Sequence, residues 1–554
     1  MVDLVLHGGP VLPAGAGGGA DAVRPTAVAV TDGRIVVVGD DEVLDLVGLG
    51  TEHVDLRGRL LVPGFQDAHV HPVWAGLHLL QCDLADLHTA SAYLDAIGAH
   101  ARARPELTWV VGAGWSMPAF PAGTPTAAAL DTVLPDRPAY LTNRDAHSAW
   151  VNSAALRLAG IDASTPDPAD GRIERDADGI PTGTLHEGAM RLVGALAPRP
   201  SDADLLDALL LAQARLHAFG VTAWQDAIVG DYGDGTDPAI AYRAAVAGGA
   251  LTARVVGALW WDRNRGLEQV DELVARREEL ALGRFTATSV KIMQDGVAEN
   301  FTASMTEPYC DGHGHPTDNS GISFVPPEVL LPAAAALDAR GFQLHFHAIG
   351  DLAVRQCLDA VEHALARNGR RDARHHIAHL QVVHPDDVTR FGELGVVANL
   401  QMLWAALEAQ MVELTLPFLG EPRSSWQYPF GGLHRSGARL AAGSDWSVSS
   451  PDPLAALHVA VNRTVPEAMR EDDVVHPVFL PGQRLDLATA LTAYTAGSAH
   501  VNRLDDCGVI RPGALADLVV LDRDPFAGPP EEIGATRVLQ TFVDGRRVYA
   551  APDA

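Results

Sequence analysis

Between residues 61 and 445 the chain repeats one pattern, a short β-type run followed by a helical stretch, and such alternation specifies a parallel sheet or barrel. The runs fall at 61–68, 220–226, 252–260, 285–295, 342–347, 375–381, 395–400 and 438–445. Helical patterns fit between them, for example Asp204 to Phe219, Pro327 to Ala339, Leu352 to Ala366 and Asp386 to Leu394. Eight parallel strands with crossover helices predict an α/β fold, a TIM (β/α)8 barrel, whose functional residues gather at the C-terminal strand ends. One interval is anomalous: about 150 residues separate the first two runs, far more than a crossover needs. A subdomain rich in Pro and Asp is therefore predicted at 85–205, overhanging the barrel mouth, with the barrel itself at 62–84 and 206–499.

The two ends of the chain carry β-type runs of another kind. Asp3-Leu4-Val5-Leu6, Ala27-Val28-Ala29-Val30 and Arg34-Ile35-Val36-Val37-Val38 are matched only by Leu518-Val519-Val520-Leu521 and Val538-Leu539-Gln540-Thr541-Phe542-Val543. Neither end is long enough to bury a good core alone, so residues 1–61 and 500–554 are expected to form one composite β-sandwich.

Bulk properties exclude several classes of function. The formal net charge is −29, and no basic patch interrupts it, which argues against nucleic acid or an anionic membrane as partner. Cys82, Cys310, Cys357 and Cys507 are scattered without CxxC spacing, indicating free thiols rather than a disulfide framework or a thiolate metal site. The N-terminus lacks a signal-peptide pattern and no run of 18 apolar residues occurs, so a cytoplasmic location is expected. Neither a Walker sequence nor a GxGxxG between strand and helix is present, so a nucleotide-binding reading fails.

Potential metal ligands recur where strands end. The first run leads into Pro63-Gly64-Phe65-Gln66-Asp67-Ala68-His69-Val70-His71, and on a strand Asp67, His69 and His71 share one face. A histidine pair held this way can supply half of a metal site, although HxH alone is weak evidence. Lys291 interrupts the apolar Val290-Lys291-Ile292-Met293, where a lone ammonium is costly; it is either paired with a carboxylate or carboxylated by CO2 into an oxygen donor. The fifth run holds His345 and His347, the sixth His375, His376 and His379, and the eighth ends in Gly443-Ser444-Asp445. Asp445 alone could be a helix cap or turn former. Five strands of one barrel each contribute a potential ligand.

At this point the chain resembles the amidohydrolase superfamily, and within it the YtcJ-like branch that includes N-substituted formamide deformylases. The resemblance spans nearly the whole chain. It rests on Asp67-x-His69-x-His71 after Pro63-Gly64-Phe65, Lys291 with Asp295-Gly296, His347-Ala348-Ile349-Gly350-Asp351, His379 and Gly443-Ser444-Asp445, with Asp32-Gly33-Arg34, Ala516-Asp517-Leu518 and Asp544-Gly545-Arg546 in the terminal modules. The resemblance implies that His69, His71 and Asp445 hold the more buried metal, that a carboxylated Lys291 bridges, and that His347 and His379 hold a second ion. One or two divalent ions are expected, with zinc as the default. His345 is assigned to the shell behind the ligands, and His375, His376 and His384 to surface or packing.

The same resemblance implies hydrolysis of a non-peptide C–N bond in a small amide, formamide or cyclic amide by metal-activated water, with Asp445 moving the proton. The segment Asn143 to Ser153 resembles a stretch near the family's pocket, which places His147 against substrate or leaving group; a helix-entry role, with Asp145 or Ser148 as caps, is the alternative. Glu187 and Asp295 are further candidates for substrate contact. Hydrolysis of an ester, lactone or carbamate at the same site is the runner-up, and an inactive binding protein is the reading from another class. A small-molecule substrate is the expected partner, and the sequence leaves the oligomeric state, a homodimer included, open.

Overall fold

The computed structural model describes residues 2–13, 24–232, 235–470 and 477–552. Its centre is an eight-stranded parallel sheet: β1 (Phe65–Val70), β2 (Val221–Val229), β3 (Arg254–Trp260), β4 (Phe285–Met293), β5 (Gln343–Ala348), β6 (His376–His379), β7 (Val397–Leu400) and β8 (Leu440–Ala442). Each strand pairs with the next in chain order, and β8 returns to β1 where the Asp445 amide donates to the His69 carbonyl at 2.8 Å. The expected TIM barrel is therefore the observed fold. Strands buried on both faces read as near-continuous apolar runs, as Val255 to Leu259 and Val397 to Leu400 do.

The first strand differs from expectation. The run at 61–68 divides, because Leu61–Pro63 pairs with Leu518–Leu521 of the terminal sheets and only Phe65–Val70 belongs to the barrel. Gly64 is the hinge between the two, packed so closely on Thr222 that an added Cβ would lie 2.5 Å from its hydroxyl. His71 lies beyond β1, at the start of the helix α1 (Pro72–Leu80). Alternation along a strand thus does not reach it.

The helix α2 (Asp202–Ala218) precedes β2. It begins with a capping box in which Ser201 and Asp204 satisfy each other's backbone amides, an arrangement that stabilises a first turn by about 1 kcal/mol. α1 and α2 pack side by side over the barrel, and a Cβ on Gly76 would come within 2.0 Å of the Ala208 carbonyl, so only glycine permits this approach. The helices Pro327–Ala339, Asp351–Asn368 and Pro385–Leu394 cover the later strands.

Between α1 and α2 the chain builds a second, six-stranded sheet in the order Gly171–Arg175, Pro181–Glu187, Ser148–Val151, Ala139–Asn143, Val110–Trp115 and Cys82–Asp83. Tyr93, Ile97, Trp115 and Trp150 form a core on one side, and Val151, Ile173 and Leu185 one on the other. The terminal segments form two four-stranded sheets whose side chains share one core, with Leu6, Val28 and Val54 from the N-terminal part against Leu518, Val520 and Phe542 from the C-terminal part. Arg254 of β3 joins this module to the barrel through Asp517 and Asp544.

Asp517 is fully buried beneath that arginine, which explains why the Ala516-Asp517-Leu518 motif has an acid inside an apolar strand. All four cysteines are free thiols. Among the described residues no helix is long and apolar enough to cross a membrane.

Candidate metal centre and active-site cavity

Three side chains converge at the C-terminal ends of β1, β6 and β8. One ligating atom from each of His69, His379 and Asp445 lies within 4.8 Å of the others. His69 Nε2 is 3.3 Å and His71 Nε2 3.1 Å from Asp445 Oδ1, while His379 Nδ1 is 3.8 Å from Asp445 Oδ2. Lys291 Nζ approaches His69 Nε2 at 3.4 Å. The His347 ring stands 4.3 Å from that of His379, and its Nε2 lies 3.2 Å from the Gly296 carbonyl. The structure thus gathers His69, His71, Lys291, His347, His379 and Asp445 in one place, the tightest part being the first, fifth and last of these.

Electrostatics at this cluster are those of a cation site. Both ring nitrogens of His379 and Oδ1 of Asp445 are buried without a hydrogen-bond partner, a costly arrangement that a divalent ion would satisfy. Burial keeps His69 neutral by lowering its pKa to about 3, and neutral imidazole is the form that ligates. Burial also lowers the Lys291 amine to about 7, against a smaller opposing pull from Asp445, so a neutral amine able to take up CO2 is accessible. Burial raises the Asp445 carboxyl, but the flanking histidines, His69 foremost, outweigh it and hold the pKa well below the usual range. The residues present therefore fit a divalent metal, with nitrogen and carboxylate donors suited to zinc.

The backbone is strained where these groups are delivered. His379 has φ 81° and Asp445 φ 56°, left-handed conformations that non-glycine residues adopt at a cost of about 1–3 kcal/mol. Such strain persists because the packed barrel over-determines it. No residue type in the sequence signals it.

The remaining candidates sit differently. His147 lies in the turn before Ser148–Val151, and Glu187 ends its neighbouring strand. His147 Nδ1 contacts Glu187 Oε1 at 2.7 Å, and its ring is 5.5 Å from that of His347. Burial opposes the imidazolium, yet Glu187 overcomes it and raises His147 to about 9. Glu187 also accepts from Thr302 Oγ1 at 3.0 Å and Asn300 Nδ2 at 3.3 Å. It is a support for His147, with φ 50° at its own backbone.

Asp295, expected to meet substrate, is instead occupied by backbone amides: Ile349 and Gly350 donate to it at 3.0 and 2.8 Å, and Ser304 at 2.9 Å. A carboxylate with its lone pairs engaged in this way fixes the β5 loop, and its Oδ1 stands 3.7 Å from His347. Asp67 likewise is turned away from the metal position. It accepts from the amides of His69 at 2.9 Å and Ser444 at 3.1 Å, tying β1 to the β8 end.

His345 lies behind the ligands, its Nε2 2.8 Å from His69 Nδ1. His376 is fully buried inside the barrel between Gln225 and Asn399, His375 beside Asp338, and only His384 is part-exposed, as the cap of a helix.

A cavity of about 210 Å³ opens over the cluster, lined by His69, His71, His147, Lys291, His347 and Asp445 on one side and by the inserted sheet on the other. The inserted sheet thus roofs the barrel mouth. This volume accommodates a small molecule and no folded partner.

A nearly closed (β/α)8 barrel with a histidine–carboxylate cluster under a roofed mouth defines the class, the metal-dependent hydrolases of barrel type. The chain belongs to the amidohydrolase family, whose model matches residues 52–549. It is 32% identical over 532 residues to the putative amidohydrolase YtcJ of Bacillus subtilis, covering 95% of this chain and 96% of that one. It is 29% identical over 535 residues to an N-substituted formamide deformylase of Arthrobacter pascens, with 94% of each chain covered. Among solved structures it is similar to an uncharacterised metal-dependent hydrolase from Pyrococcus furiosus, with TM-score 0.69, 25% identity, and 94% and 99% of the two chains covered.

Proposed function

We propose that the protein hydrolyses a non-peptide C–N bond of a small amide, formamide or cyclic amide. The observation that carries this reading is the convergence of His69, His379 and Asp445 at the barrel mouth, with both His379 nitrogens buried and unpartnered. The similarity to a formamide deformylase along nearly the full chain supports the choice of bond.

His69, His71 and Asp445 would hold one divalent ion and His347 with His379 a second, with a carboxylated Lys291 as a further oxygen donor. Such an ion supplies Lewis acidity to the substrate carbonyl and makes water a better nucleophile. The chain's own groups do the rest. Asp445 receives the proton of the attacking water and passes it to the departing amine. His147, kept cationic by Glu187 on Nδ1, would donate a hydrogen bond from Nε2 to the substrate. The inserted sheet covers one side of the cavity, which confines a substrate against the cluster.

Matched N-formyl amines and formate esters, assayed with zinc-loaded protein, test the reading. Hydrolysis of the amides is the expected result. Turnover confined to esters would overturn it, and absence of turnover and of bound metal would favour a binding protein.

A further inference from the structure

The cavity wall opposite the metal cluster contains a guanidinium whose donors are incompletely used. Arg263 follows β3 in the loop at the catalytic face, and its side chain is only 7% exposed. Its Nη2 binds Asp170 Oδ2 at 2.7 Å, and the group stacks 3.9 Å over the ring of Phe324. Its Nη1 is buried and has no hydrogen-bond partner. Arg263 lines the same cavity as His69, His147, Lys291 and Asp445.

Arg263 does not have its carboxylate partner to itself. Asp170 Oδ2 is shared with Arg191, also at 2.7 Å, so two guanidiniums face one carboxylate. Other acids on this wall are already engaged: Glu187 binds His147, and Asp145 accepts from the His147 amide at 3.0 Å. Asp170 itself is built in closely. A Cβ at the neighbouring Gly188 would lie 1.9 Å from its Oδ1, so glycine there is what admits the carboxylate.

We propose that Arg263 is a specificity-determining residue that binds an anionic oxygen group, such as a carboxylate, on the substrate beside the scissile C–N bond. This rests on the amide-hydrolase reading for the identity of the bond, but not for the recognition of the anion. A stacked, planar guanidinium with one edge held by Asp170 is oriented before binding, so it pairs with an oxyanion in the cavity beside it with little loss of freedom. Leaving such a donor unpaired is costly, and a neutral carboxamide recovers less of that cost than a carboxylate.

The test measures binding of N-formylglycine, N-formylleucine and N-formylphenylalanine, each paired with its primary carboxamide, to wild-type, Arg263→Met and Arg263→Lys proteins by calorimetry after metal removal. Wild-type protein should prefer at least one acid over its carboxamide by about tenfold to a hundredfold. Arg263→Met should abolish the preference, and Arg263→Lys, which keeps the charge without the fork, should retain part of it. Equal binding within every pair, no detectable binding of any acid, or a preference unchanged in Arg263→Met overturns the assignment. Turnover by metal-loaded protein reads the other question separately: a preference for acids without cleavage of any formamide counts against the amide-hydrolase reading and leaves the anion subsite standing.

Discussion

His345 Nε2 lies 2.8 Å from His69 Nδ1, both rings fully inside the barrel. With a metal ion on His69 Nε2, its Nδ1 would carry the hydrogen and His345 Nε2 would accept it. The contact fixes both the tautomer and the plane of a candidate ligand. His345→Ala should therefore weaken metal binding by about 10–100-fold while the fold survives, as measured by competition with a chromophoric chelator. Unchanged affinity would make His345 a packing residue.

Metal removal should be reversible in its effect. Dialysis against a chelator should abolish amide hydrolysis, and added zinc should restore it, because both buried ring nitrogens of His379 lack a hydrogen-bond partner that could take the ion's place. Full turnover by protein shown to be metal-free would refute the centre.

Lys291 separates a one-ion from a two-ion site. Lys291→Ala removes any bridging oxygens, so metal stoichiometry and rate should both fall, with partial recovery in millimolar acetate or propionate. A crystal structure showing an unmodified Lys291 amine in wild-type protein grown with bicarbonate would contradict the bridge.

Asp445→Asn keeps shape and one oxygen but cannot accept a proton. Its kcat should drop by about 10²–10⁴ at full metal occupancy, the usual contribution of a placed general base. Near-normal kcat under those conditions would move the proton to His147 or another group.

His147→Gln should leave metal content unchanged, because Glu187 rather than a ligand holds its ring on Nδ1. Its kcat/KM should fall by about tenfold to a hundredfold, with Glu187→Gln following in the same direction because the imidazolium loses its counter-charge. Loss of metal in His147→Gln would place this histidine among the ligands.

Much of this arrangement was legible in the chain because it rests on local periodicity. The helix Pro327–Ala339 has the boundaries its pattern predicts, β4 and β6 lie within their apolar runs, and β5 passes the end of its run by one residue. Polar residues that interrupt such runs, Lys291 and His347 above all, stand out because an apolar strand has no other use for them. Arg263 and Asp170 do not stand out, since a charged residue in a loop is ordinary until its burial is known.

The sequence by itself determined the order of the barrel strands and the residue types available at their ends, both consequences of short-range pattern and burial. Only the tertiary structure decided which of those groups meet. Closure of β8 on β1 brings Asp445 to His69 across 376 positions of chain, Asp67 and Asp295 are drawn off by backbone amides, and the roofing sheet sets His147 beside His347. Such choices depend on where a side chain's hydrogen bonds are satisfied after packing, and that is settled by neighbours distant in sequence.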